Sequence, residues 1–177
     1  MVKRYKDFSK NELLSIARKI CISVKTAPKG RGVDIIDSAI ITDEDIKKVS
    51  DKMIEIGEKY SHKGMLRDAK NILQSDVIVL IASKIRPLGL IKCGYCGFKN
   101  CEEKSKHTDI PCSFNTVDLG IAIGSAVSIA ADFRVDNRIM YTIGFAAREL
   151  GYFEDDYKIV FGIPLSATSK NPFFDRA

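Results

Sequence analysis

The sequence lacks any apolar run approaching the length of a membrane span, and its opening, MVKRYKDFSKNE, lacks the apolar core of a secretory signal. Both absences predict a cytoplasmic protein with no membrane partner. No segment repeats, none is of low complexity and no linker divides the 177 residues, so a single domain over 1–177 is expected. Charge of one sign is not concentrated either. The net charge is +5, and acidic runs such as Asp43-Glu44-Asp45 stand beside Lys47-Lys48. That mixture belongs to solvated helix faces, and without an aromatic-and-basic module it speaks against a nucleic-acid partner. Only two histidines are present. Neither His62, in KYSHKG, nor His107 has a recognisable catalytic setting, so the sequence nominates no catalytic residue. With 45% hydrophobic residues the chain can build a core without staples.

What is present in excess is local. CGYCGFKNC, residues 93–101, holds three of the five cysteines, and Cys112 follows after Pro111. In a reducing compartment, clustered cysteines hold metal or do redox chemistry more often than they form stable disulfides. The pattern C-x2-C-x4-C with a distant fourth cysteine differs from the paired C-x2-C knuckles of structural zinc, and favours a [4Fe–4S] cluster on Cys93, Cys96, Cys101 and Cys112. Zinc is the alternative, and disulfides or a reactive Cys93–Cys96 pair remain further readings. The C-x-x-C has no strand-to-helix setting of the thioredoxin kind. Tyr95 and Phe98 are placed to shield such a centre from water. Lys92, Lys99, Lys104 and Lys106 are close enough in sequence to offset the negative charge of four thiolates. Cys21 falls on an apolar helix face and reads as a core residue.

Elements can be read on either side. Ser9 and Glu12 have the spacing of a capping box, and Leu13, Ala17, Ile20, Cys21 and Val24 mark one face of a helix ending near Lys25, ahead of Pro28. DIIDSAII reads as an extended segment, and a second helix starts at Thr42 to Asp45 and is broken by Gly64. MLRDAKNILQ is a shorter helix, and DVIVLIAS a central strand. Segment 91–115 shows no periodic element. The apolar TVDLGIAIGSAVSIAADF and VDNRIMYTIGFAARELG read as helices, YKIVFGIPL as a late strand, and SATSKNPFFDRA as an irregular tail. The expected class is α+β, a helix-rich sandwich around a small sheet with a cysteine-rich loop at 91–115.

A second constellation is SVKTAPKGRGVD, where Lys25, Thr26, Lys29 and Arg31 offer phosphate donors among glycines that permit close approach. It lacks the order of a Walker loop. The tail adds Lys170 and Arg176, and Phe173-Phe174 suggest that it docks rather than trails.

In KTAPKGRGVD, LIKCGYCGFKNC, CSFNTVDLGIAIGSAVSIAAD with VDNRIMYTIGFAA, and GIPLSATSKNPFFDR, the sequence resembles the DUF2148 family of ferredoxin-domain-containing proteins. The order of elements also resembles the FMN-dependent nitroreductase fold. That resemblance implies an intertwined homodimer and FMN phosphate held by a basic turn. The turn is represented here by Lys25, Thr26 and Lys29, with lysines in place of arginines, and Lys170 and Arg176 return from the tail. The leading expectation is a redox protein, an FMN-dependent oxidoreductase-like domain with an added four-cysteine cluster, exchanging electrons with a donor or acceptor the sequence does not identify. The rival is a non-enzymatic iron–sulfur or zinc binding or sensing protein on a former flavin fold.

Overall fold

The computed structural model describes residues 1–174, and its strands meet in one four-stranded antiparallel sheet. The strands are β1 (Ile36–Thr42), β2 (Val77–Lys84), β3 (Asp136–Asn137) and β4 (Tyr157–Ser166), in the spatial order β1-β2-β4-β3. The central β2 is DVIVLIAS almost to the residue. Its period-two alternation sorts its side chains between two cores: Val77, Val79 and Ile81 enter one, Ile78, Leu80 and Ala82 the other. Each fully buried aliphatic side chain contributes about 1.5–3 kcal/mol relative to exposure.

On the first face lie α1 (Ser9–Thr26) and α5 (Ser113–Asp132); on the second lie α2 (Asp43–Lys59), α3 (Lys63–Ile72) and α6 (Tyr141–Glu149). A five-residue α4 (Cys101–Ser105) interrupts the connection from β2 to α5. Leu13, Ala17, Ile20 and Val24 of α1 are buried, as their spacing predicts. The α5 core positions Ala122, Ala126 and Ala130 are small, which lets the two helices approach until Ser125 Oγ donates to Ser23 O at 3.1 Å.

Several local expectations change. Ser9 is the first residue of α1 rather than its cap, and the Glu12 amide is satisfied by Phe8 O at 3.0 Å, so the expected capping box does not form. Gly64 lies inside α3; α2 has already ended at Lys59, and His62 caps α3 by accepting the Met65 amide on Nδ1 at 3.1 Å. The segment before α6 is extended, because β3 and the Met140–Gly162 bridge claim its backbone groups. By length and composition α5 could cross a membrane, with a mean hydropathy of 1.4, against the expectation that no such stretch exists. Here it lies along α1 and the sheet.

The tail docks. A single turn of 3-10 helix at Pro172–Phe174 places Phe173, fully buried, in the second core, and Arg138 donates to Phe173 O at 2.8 Å. Arg138 in turn stands 3.8 Å from Asp68, a buried carboxylate that also accepts from Thr142 Oγ1 at 2.9 Å.

Candidate metal and cofactor site

Cys112 caps α5 and is buried, whereas Cys93, Cys96 and Cys101 are half-buried on the chain between β2 and α5. All are free thiols. Cys101 opens α4, with its Sγ 3.9 Å from Leu90 O, and Asn100 caps that helix by accepting the Glu103 amide at 2.8 Å. Tyr95 is exposed and stacks on Phe114 at 6.1 Å, while the half-buried Phe98 stacks on His107 at 4.9 Å. Among the described residues no three His, Cys, Asp or Glu side chains stand together ready to hold one ion. Four unpaired thiols are nevertheless a chemically complete donor set for a four-thiolate centre. Cys112 is fixed at the start of α5, Cys101 opens α4, and Cys93 and Cys96 lie on residues 85–100, which carry no helix or strand.

Three side chains bind the base of this loop to the rest of the molecule; the sequence singles out only Arg31, and as a phosphate donor rather than a tie to this loop. Asn115, buried in the first turn of α5, accepts the Cys112 amide at 3.0 Å and the Arg86 amide at 3.1 Å through Oδ1, and donates to Arg86 O at 2.9 Å. One turn on, the buried Asp118 accepts the Gly30 amide at 3.1 Å on both oxygens. Arg31, in a left-handed conformation at φ 56°, donates back to Leu88 O at 3.2 Å and Gly89 O at 2.9 Å. A side chain at Gly30 would collide with Leu88, its Cβ 2.8 Å from Cδ2. The basic turn after α1 and the cysteine loop are therefore neighbours joined through the start of α5.

Within that turn each candidate phosphate donor has an internal partner. Lys25 pairs with Asp34, whose hydrogen bond raises the lysine above its usual range. Burial pushes the Asp34 carboxyl up, but the hydrogen bonds from Lys25 and the Ile36 amide, with the charges of Lys25 and Lys29, outweigh it and leave the group below the ordinary value. Thr26 Oγ1 donates to Ile22 O at 3.0 Å. Lys29 Nζ donates to Val24, Lys25 and Ala27 carbonyls at 3.1, 2.8 and 2.9 Å, closing the C-terminus of α1. An open groove of about 430 Å³ runs beside Lys25, Lys29 and Gly32, with Asp34 on its wall. As arranged, these residues do not form a phosphate cradle.

The tail is not there to complete one. It leaves β4 at Ser166, beside β3 and the start of α1, where Tyr5 donates to Ala167 O at 2.5 Å. The basic turn follows the far end of α1, about 27 Å away for 18 residues at 1.5 Å each. Lys170 thus stands at the opposite end of the sheet from Lys25, Thr26 and Lys29, and Arg176 lies outside the described residues. Cys21, half-buried against the first core, has its thiol pushed up chiefly by burial, as a core residue should.

The architecture has solved counterparts. CinD, a nitroreductase from Lactococcus lactis solved with nicotinic acid, matches with a TM-score of 0.64 at 11% identity, over 89% of this chain and 79% of that one. A nitroreductase with bound FMN from Desulfitobacterium hafniense matches with a TM-score of 0.60 at 12% identity, over 89% and 80%. The protein has the nitroreductase fold, an α+β sandwich. A family profile described as uncharacterized protein containing a ferredoxin domain (DUF2148) matches residues 108–176, a stretch that includes Cys112 but not the other three cysteines of the cluster. An uncharacterized protein from Archaeoglobus fulgidus is 42% identical over 186 residues, covering all of this chain and 98% of its own length. The chain belongs to the DUF2148 family.

Proposed function

We propose that the protein is a cytoplasmic redox protein in which Cys93, Cys96, Cys101 and Cys112 hold a [4Fe–4S] cluster. The observation that carries this reading is four free thiols on one segment, one of them locked at the start of α5 by Asn115. The ferredoxin domain named in the family description supports it. Such a cluster supplies one-electron transfer, and the protein binds it and tunes it. Cys112 fixes the position. Phe98, half-buried and stacked on His107, would limit water on one side of the loop, whereas Tyr95 stands open to solvent and does not serve the shielding role expected of it.

FMN enters the proposal through the fold and through the neighbour solved with FMN. Its phosphate would require Lys25, Thr26 and Lys29 to exchange their internal partners for phosphate oxygens. Given its place at the far end of the sheet, Lys170 would serve that phosphate only from a partner subunit. A homodimer suits α5, whose outer face exposes Val117 (51%) and Ile121 (41%) around Gly120 and Gly124. Exposed apolar surface of this kind is ordinarily covered by a partner. The internally satisfied basic turn favours a second reading, an iron–sulfur or zinc binding or sensing protein without flavin turnover.

The test is metal retention in four single variants, each cysteine changed to serine and each protein purified without oxygen. All four should lose iron together. Loss confined to Cys93→Ser and Cys96→Ser, with Cys101→Ser and Cys112→Ser unaffected, would replace the shared centre with a two-thiol site.

A further inference from the structure

Four lysines lie near the cysteines, and the fold treats one of them differently. Lys92, Lys99 and Lys106 are exposed, whereas Lys104 is 1% exposed. Its Nζ donates to His107 O at 3.2 Å, and among the described residues it joins no ion pair. An ammonium carries three donors, and burying one without an opposite charge is strongly unfavourable. The neighbouring acids do not serve it: Glu102 and Glu103 are exposed, and Glu103 Oε2 accepts the Lys99 amide at 2.7 Å. Lys104 does share its helix with Cys101, one turn earlier, and residues three apart lie on one helix face. Lys104 lies within the stretch from Phe98 to His107, which holds Cys101 and whose two end rings stack on each other at 4.9 Å.

We infer that Lys104 is the built-in counter-charge of the four-cysteine site, a positioning residue whose buried ammonium balances the thiolates of Cys93, Cys96, Cys101 and Cys112. The inference rests on the four-thiolate reading. Four thiolates leave net negative charge around either a cubane cluster or a zinc ion, so the ammonium gains its partner when the site is filled. One-electron reduction of a cluster adds a further negative charge, so a nearby cation favours the reduced form.

The test compares wild type with Lys104→Met, with and without metal. Without metal, Lys104→Met should melt at or above the wild-type temperature, because an uncompensated buried charge has been removed. With iron and sulfide loaded, it should melt lower than wild type and release iron faster. Its reduction potential, followed by electron paramagnetic resonance as a chemical reductant is added, should become more negative by at least a tenfold change in equilibrium constant, which is 59 mV for one electron. If the wild type takes up zinc instead, the variant should bind zinc at least tenfold more weakly. A variant that holds metal with unchanged affinity and potential overturns the inference while leaving the metal site standing. A metal-free variant that fails to fold makes Lys104 a packing residue and overturns it too. A wild type that takes up neither metal removes the four-thiolate reading, and this inference with it.

Discussion

Changing Asn115 to alanine would cut the tie between the cysteine segment and the fold. The side chain is 1% exposed and makes three hydrogen bonds, two with the backbone of Arg86 and one with the Cys112 amide. A typical hydrogen bond contributes about 1 kcal/mol net, and a buried donor left without a partner costs about 1–3 kcal/mol. The Cys112 amide is buried, so its loss falls in the upper class, whereas the Arg86 groups are partly open and water can replace Asn115 there. The sum is about 3 kcal/mol, a large share of the roughly 5–15 kcal/mol that holds a domain together. For a chain of this size it lowers the melting temperature by on the order of 10 °C. Urea denaturation gives the total, and hydrogen exchange locates it: peptides covering residues 85–92 and 112–116 should exchange faster than in wild type. A loss below about 1 kcal/mol with unchanged exchange in those peptides would refute the tether.

Gly144 lets α6 lie directly on β4, and an added Cβ would come 1.7 Å from Val160 O, so Gly144→Ala should cost upwards of about 3 kcal/mol by thermal melting, where a neutral change would deny the close approach. Phe173→Ala should cost about 3–5 kcal/mol and open the chain beyond β4 to limited proteolysis, since the ring is fully buried; unchanged protease resistance would mean that the tail is held elsewhere. Burial and the charge of Asp45 push the Tyr152 phenol up to about 12. The folded state therefore holds this proton more tightly than the unfolded chain, and stability contributed below the ordinary tyrosine value of about 10 is lost as pH rises toward about 12. Ultraviolet titration of wild type against Tyr152→Phe should reveal that phenol, and ionisation near 10 would contradict its placement.

Local pattern carried much of the fold. β2 was legible because a short apolar run rich in Val and Ile favours a strand buried on both faces, and α1 because Leu13, Ala17, Ile20 and Val24 repeat at helical spacing. The errors fell where long-range partners overrule local preference. Residues 135–140 looked helical, but β4 supplied hydrogen-bond partners for an extended chain at Asp136, Asn137 and Met140. The cysteines could be found by composition alone. The residues that hold their loop could not, because Asn115, Asp118 and Arg31 act on partners 29, 88 and 57 positions away. Lys104 was, with Lys92, Lys99 and Lys106, one of the lysines noted near the cysteines; only packing separates it from the others. The basic turn shows the reverse: Lys25, Thr26 and Lys29 looked like donors awaiting a ligand, and the fold supplies each with a partner of its own.

The central claim is a four-thiolate redox centre, and the most direct measurement is the visible absorption spectrum of the protein purified without oxygen, with iron, zinc and acid-labile sulfide assayed on the same sample. The account predicts a broad brown absorption with iron and sulfide in equal amounts, and a superimposed two-banded flavin spectrum if FMN is bound as well. A colourless protein with stoichiometric zinc would favour the binding or sensing reading. A colourless protein holding neither metal would contradict the claim.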